Sequence, residues 1–395
     1  MKKVVFVHRV TCDYSYSFLV KLHASLQANG VDFLVVSGSP WKNEGLIDVL
    51  DKLPFGIRCE NRLIGHRLFW ARNVLEVTEN ADLVIFEQLN SSLHLYPHIL
   101  RRWFDILLKK FFHISRSRKL AFWGHGATLN ERNPNKFPKL WKNILARQVD
   151  WWFTYTEISK NIVKGTGFPN DRITVFQNTI DTKALSYAMY QLDQHDGLFL
   201  KEELFGECLS AKELDPKSRV AIGVFCARLV PMKWIPFLLQ SLDFIKESYK
   251  NFFMIIIGDG PDAETIKMFS TKRPWCVWVG SQHGVDRVKY LALGDVWLNP
   301  GAIGLAIIDA MTIGLPMITT DNGIHGPEIC YLLHGQNGLM TLPDPKLYAD
   351  NIVKLLLHEK ELIRMKNNSL REGEKYSIDV MVERFEQGVL NCLND

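Results

Sequence analysis

The sequence predicts an α/β protein made of two parallel, doubly wound sheets. Short apolar runs alternate with helix-length stretches along nearly the whole chain, the pattern recurs in both halves, and a polar segment divides them. The 395 residues suit two domains, or three, at about 150 residues each. A composition of 47% apolar and 23% charged residues is that of a globular protein and excludes a disordered chain.

In the first half, residues 4–7, 33–36, 83–86, 120–123 and 152–155 read as buried strands. In the second half, 221–226, 252–257, 276–279, 295–298 and 316–319 do the same. Residues 191–217 are polar, contain no strand candidate and read as a linker or surface segment. That gives a first Rossmann-like domain over 1–190, a second over 218–375, and a closing helix over 376–395. The helix shows one apolar face at positions 378, 381, 382, 385, 389 and 390. Ligands of such sheets bind beyond the carboxyl ends of the strands, so the chemistry is expected in the loops there, in a cleft between the two domains.

Other classes are disfavoured. Only four apolar residues follow Met1-Lys2-Lys3 before His8, which does not make a secretory leader. The seven cysteines form no CxxC pair, which fits a reducing cytosol better than a zinc site or disulfide framework. No G-x-G-x-x-G follows the first strand, against a dehydrogenase.

Specific loops carry the candidate chemistry. After strand 221–226 the run Ala-Arg-Leu-Val-Pro-Met-Lys sets Arg228 and Lys233 at a strand end. Strand 252–257 leads into Gly258-Asp259-Gly260-Pro261, whose glycines permit close backbone approach or merely a turn. The segment from Asn299 through Gly301 and Gly304-Leu305 to Asp309 reads as a strand stopping at a glycine loop before a helix. The free N–H groups at Gly304 and Leu305 suit an anion. Asp309 would then reach a ribose hydroxyl, or be a solvated helix acid. Strand 120–123 ends in Gly124-His125-Gly126, an exposed histidine able to approach a ligand or a turn histidine bonded to backbone. His8-Arg9 follows the first strand, and acceptor contacts there stay unassigned.

Taken in order, Ala227–Lys233, Gly258–Pro261, the Val277-Trp-Val-Gly run, Asp295–Pro300, Gly304–Pro316 and Gly326-Pro327-Glu328-Ile329 resemble the retaining glycosyltransferases of family 4, which have the GT-B fold. Phe168 to Asp181 is similar to the family's segment ending in an Asn-Gly-Val-Asp-like sequence. The resemblance implies that Arg228 and Lys233 bind the donor diphosphate and stabilise charge growing on it. Gly258, Gly301, Gly304 and Leu305 would then line the donor, Asp309 would hold the ribose, and Glu328 would lie at the family's Gly-Gly-x-Pro-Glu-like position, where a helix-start carboxylate is the alternative. It also implies that His125 contacts the donor sugar or the reaction centre, and that no metal cofactor is needed. The family's first Glu falls on Gly301 here, leaving Asn299 as the nearest substitute.

The family reading is therefore transfer of a hexose from a nucleotide-diphosphate sugar to a glycan or lipid-linked acceptor, as in lipopolysaccharide or capsule assembly. A nucleotide-sugar epimerase and a non-catalytic donor- or glycan-binding subunit are the alternatives.

The net charge of +4 is unevenly spread. Residues 101–150 hold 12 Lys and Arg against 3 acids. From Arg101 to Lys119, aromatic and apolar residues interleave with basic ones, and Lys136, Lys139, Lys142 and Arg147 surround Trp141. This pattern over 101–147 reads as binding to an anionic membrane surface, placing the protein at the cytoplasmic face, or as a helix packed on its sheet with solvated charges. Nucleic acid is the poorer partner, because no recognised binding motif accompanies the basic residues.

Overall fold

A computed structural model of the protein describes all residues except 43, 45, 113–117, 127–135, 193, 211–213 and 216–217, and leaves out the side chains of 109, 112, 136–139 and 194–196. Arg116 and the side chains of Lys109, Phe112, Lys136 and Lys139 thus lie outside the described residues.

Fifteen strands run through the described residues: β1 Lys2–Val10, β2 Val31–Gly38, β3 Gly56–Arg58, β4 Asn61–Ile64, β5 Leu68–Ala71, β6 Leu83–Glu87, β7 Lys119–Gly124, β8 Trp151–Thr154, β9 Ile173–Val175, β10 Ala221–Cys226, β11 Phe252–Ile257, β12 Cys276–Trp278, β13 Val296–Leu298, β14 Met317–Thr320 and β15 Gly338–Thr341. They form a seven-stranded sheet in the order β3-β2-β1-β6-β7-β8-β9, a six-stranded sheet in the order β12-β11-β10-β13-β14-β15, and the hairpin β4-β5. All pairings in the two large sheets are parallel. These are two doubly wound α/β sheets, as the sequence predicts.

The continuous apolar runs have a direct cause. Val4 and Phe6 of β1 join one core and Val5 and Val7 another, so both faces of the sheet are covered. Leu83 and Ile85 alternate with Val84 and Phe86 on β6 in the same way.

The chain divides into two compact units. One takes the described residues of Met1–Thr128 and Asn133–Ile180 together with Ile378–Asp395, and the other contains Asp181–Ser377. The division falls ten residues before the expected boundary at 190, because the helix Thr182–Gln191 packs Leu185 and Ala188 against Val288 of the second unit. The segment 191–217 is also more than a linker. It contains the helix Gln194–Leu209, which buries Phe205 against Phe253 at a ring-centroid distance of 4.9 Å.

The helix Ile378–Asn394 belongs to the first unit's core. Its Phe385 sits among Phe6, Phe18, Phe153 and Phe176, with centroids 4.2–5.7 Å away. Gly388 lets it approach closely, since a Cβ there would lie 2.5 Å from Thr174 Oγ1.

Candidate active site

In the second unit, β10 ends at Cys226 and the chain passes through exposed Arg228 into the 3-10 turn Pro231–Lys233. Trp234 follows in the left-handed region at φ 55°, which costs a non-glycine residue about 1–3 kcal/mol, and opens the helix Ile235–Ser248.

This turn is joined to the loop after β13 from both sides. Lys233 Nζ donates to the Ala302 carbonyl at 2.5 Å, and the Ala302 N–H donates to the Met232 carbonyl at 2.8 Å. A Cβ at Gly301 would lie 2.4 Å from both the Met232 carbonyl oxygen and the Lys233 carbonyl carbon. Position 301 thus has no room for a side chain, because the turn bearing Lys233 fills its place. Burial lowers the Lys233 ammonium to about 8, a smaller opposing influence coming from Cys226.

Gly258 performs a parallel task. At φ 138°, a Cβ there would lie 1.9 Å from the Ala227 carbonyl oxygen. The loop after β11 therefore runs flush against the Arg228 loop, tied by Ala227 N–H to Ile257 O at 3.1 Å and Leu229 N–H to Asp259 O at 2.9 Å.

Around Gly304 the space is open, with nothing within 4 Å of a built Cβ. Gly304 and Leu305 precede a helix of only seven residues, Ala306–Thr312. His325 holds the loop before it. Its Nδ1 accepts the Ile303 N–H at 3.2 Å, so Nε2 carries the proton and donates to the Thr320 carbonyl at 2.7 Å. Only the neutral ring does both, and burial lowers its pKa accordingly.

Asp309 is buried and faces Arg287, which grips both its oxygens at 2.9 and 3.2 Å. Burial pushes the Asp309 carboxyl up and Arg287 opposes that. Arg287 comes from the helix Gly284–Ala292 and also bonds the Cys226 thiol. Any ribose contact by Asp309 is therefore made by a carboxylate already held in a bidentate ion pair. Glu328, 3% exposed, folds back so that its Oε2 would lie 2.7 Å from a Cβ on Gly326. Asn299 is fully buried, and among the described residues neither atom of its amide has a hydrogen-bond partner.

In the first unit, His125 stands beyond the end of β7, its ring edge-on to Tyr155 at 4.4 Å. Burial, with a smaller contribution from Lys142, lowers it to about 4, so it is neutral at physiological pH. Residues that motif reading left without a role gather near it. His8 and Trp123 have ring centroids 4.6 Å apart, Glu87 accepts the Arg9 N–H at 3.3 Å, and Gln88 is buried beside Gly124. Burial raises Glu87 and lowers Lys142 to about 8.

The structure brings Lys233 and Gly301 together and sets Gly258 against the Arg228 loop. Sequence reading misses Arg287, whose position depends on how one helix is rotated. It also misses His325, although that residue stands within the His-Gly-Pro-Glu run.

Residues 221–358 match the family model of glycosyl transferases group 1. Over 142 residues the chain is 28% identical to the sulfoquinovosyl transferase of Arabidopsis thaliana, covering 35% of this chain and 28% of that one. It is 26% identical over 146 residues to the alpha-monoglucosyldiacylglycerol synthase of Acholeplasma laidlawii, covering 35% of each. The chain thus spans about a third of the length of these two relatives. An uncharacterised glycosyltransferase of Methanocaldococcus jannaschii is 21% identical over 394 residues, covering 88% of this chain and 89% of its own. Among solved structures, the Anabaena protein HepE in complex with UDP superposes with a TM-score of 0.69 at 14% identity, covering 99% of this chain and 100% of that one. The chain has the GT-B fold, and its residues 221–358 match a glycosyltransferase domain.

Proposed function

We propose that this protein is a glycosyltransferase that moves a hexose from a nucleotide-diphosphate sugar to a glycan or glycolipid acceptor with retention, in the manner of family 4. The observation that carries the reading is the Lys233–Ala302 lock, which fixes a half-buried ammonium beside the glycine loop where a diphosphate would lie. In the proposed reaction the bond from C1 to the phosphate oxygen breaks as the acceptor oxygen bonds C1 on the same face. The acceptor's proton passes to the departing phosphate. Arg228 and Lys233 stabilise the charge on that phosphate without requiring a metal, and the family resemblance assigns His125 a contact with the donor sugar or the reaction centre. Asp309, held by Arg287, and Glu328 border the donor together with Gly304 and Leu305.

The acceptor is proposed to be membrane-borne, as in surface polysaccharide or glycolipid assembly. Support comes from the helix Tyr96–Phe112, whose Leu100, Trp103, Phe104, Ile106, Leu107 and Phe111 are 47–65% exposed rather than packed on the sheet. Leu140, Trp141 and Ile144 of the helix Lys136–Ala146 are exposed as well, and Trp141 Nε1 donates to Tyr96 Oη at 3.1 Å, which joins the two helices. So much apolar surface among basic residues fits an anionic bilayer. Among the described residues, no helix is long and apolar enough to cross a membrane.

Two measurements test this. Nucleotide release from a panel of UDP- and GDP-hexoses, with and without acceptor, should require acceptor and be lost in Lys233→Ala; turnover without acceptor would mean an epimerase, and no turnover a binding subunit. Sedimentation with phosphatidylglycerol vesicles should capture the protein but not a Trp103→Asp, Phe104→Asp, Leu107→Asp variant. Equal behaviour of the two proteins would remove the membrane.

A further inference from the structure

Lys233 Nζ is placed by the Ala302 carbonyl, so the ammonium is only as fixed as residues 300–303, which carry that carbonyl. They belong to no helix or strand. Their hold comes from the segment that ends β14 and follows it.

That segment grips 300–303 at both ends. At the start, Thr320 Oγ1 and Asn322 Nδ2 each donate to the Pro300 carbonyl at 2.7 Å. The Asn322 amide is itself oriented by the Ile324 N–H, which its Oδ1 accepts at 2.9 Å. At the far end, His325 Nδ1 accepts the Ile303 N–H, and the Gly326 N–H donates to the Ile303 carbonyl at 2.7 Å. His325 is fixed in turn through Nε2, which donates to the Thr320 carbonyl. Gly323, at φ 71°, permits the turn between the two grips. Thr320 is fully buried, and Asn322 and Ile303 are 5% and 1% exposed. A donor or acceptor left unpaired in such a place is costly, so the bonds hold or fail as a set.

We propose that Thr320, Asn322 and His325 form a brace of positioning residues, which holds 300–303 so that the Ala302 carbonyl aims the Lys233 ammonium at the donor's diphosphate. The proposal rests on the glycosyl-transfer reading.

None of the three needs to touch the donor. Both ring nitrogens of His325, the Asn322 amide and the Thr320 hydroxyl are engaged with protein groups. Their effect passes through Lys233. An ammonium has three N–H bonds; one goes to Ala302, which leaves two for phosphate oxygens and fixes where they point. A cation held in this way needs no reorganisation as charge grows on the leaving phosphate. The tautomer matters as much as the residue, because only a ring with a bare Nδ1 and a proton on Nε2 serves Ile303 and Thr320 together.

The test is calorimetry of UDP, with GDP in parallel, on the full chain and on His325→Leu, His325→Asn, Lys233→Met and the double variant. His325→Leu should weaken nucleotide binding about tenfold, the scale for one buried N–H left unpaired. His325→Asn keeps an acceptor for the Ile303 N–H and should recover most of that loss. In the Lys233→Met chain, His325→Leu should weaken binding no further, because the cation it aims is gone. Thr320→Val, which removes one donor to Pro300, replaces His325→Leu should that variant not fold, with the same dependence on Lys233. Nitrogen-15 NMR of the histidine-labelled parent should show a bare Nδ1 for the signal that His325→Asn abolishes. Equal nucleotide affinity in parent and folded variant, losses that add to those of Lys233→Met, or a protonated Nδ1 overturns the brace and leaves transfer standing. A parent chain that binds neither UDP nor GDP removes the donor reading, and the positioning role with it.

Discussion

The Cα of Gly301 lies so close to Lys233 that a β-carbon on it would fall 2.4 Å from the Lys233 carbonyl carbon. The glycine and the lysine are parts of one lock, and each constrains what the other position tolerates.

Gly301→Glu, which would restore the acid of the resembling family, should therefore damage the enzyme. The added side chain displaces the Pro231–Lys233 turn, a form of overpacking that costs about 1–3 kcal/mol, and moves the ammonium from its place. A thermal midpoint lowered by several degrees, with turnover lost, is expected. A variant as active as the parent would show that the turn yields.

Lys233→Met should lower kcat/KM by roughly 10²–10³, the scale for one preorganised donor to developing charge. The ammonium, lowered to about 8, loses its proton as pH rises through that value, so UDP should bind more weakly at pH 9 than at pH 7. Calorimetry at the two pH values should show this loss in the parent chain and a flatter response in the variant.

Arg287→Met strands the Asp309 carboxylate in its buried site, at a cost of about 3 kcal/mol. Asp309→Asn in the same chain should recover much of the lost stability without restoring donor binding. Denaturant midpoints of the two single variants and the double variant measure the coupling. Additive losses would mean that the pair is not energetically linked.

Acid should weaken the first unit well above the range of ordinary carboxylates. His94 takes the Ala71 N–H on Nδ1 at 3.2 Å, which requires the neutral ring, and burial lowers it from 6.5 to about 4. Burial lowers His98 to about 3. The folded pKa values lie below the unfolded one, so below 6.5 the unfolded chain binds more protons. Stability is then lost as pH falls from about 6.5 towards 4, by up to about 1.4 kcal/mol per pH unit for each histidine. Urea midpoints at pH 7.5, 6 and 5 should show the slope, and His94→Gln should reduce it. Identical midpoints at all three would contradict the assignment.

The parallel sheets were readable because their strands are buried on both faces and so appear as apolar runs. Residues 4–7 lie within β1, and 252–257 is β11. β3, β9 and β15 escaped notice because edge strands of three or four residues such as Gly56–Arg58 carry no run. The hairpin β4-β5 is antiparallel and exposed, so it lacks the same signal. Lys233 could be read from its place at a strand end, since topology alone sets strand ends. Arg287 could not, because which residue of a helix meets Asp309 depends on packing 22 positions away. The glycine at 301 was visible, but the lack of room for a side chain was not: only three-dimensional proximity shows the turn that occupies the space.

Phe385 completes an aromatic cluster whose other members, Phe6, Phe18, Phe153 and Phe176, precede it by more than 200 residues. During synthesis the first unit therefore emerges from the ribosome with part of one face of its sheet uncovered. It stays so while Asp181–Ser377, which has a core of its own, is made. The second unit can mature first although it is translated later, and the first must keep a sticky surface from aggregating until Ile378–Asn394 arrives as its lid. A nascent chain stalled before 378 is thus the form most in need of a chaperone.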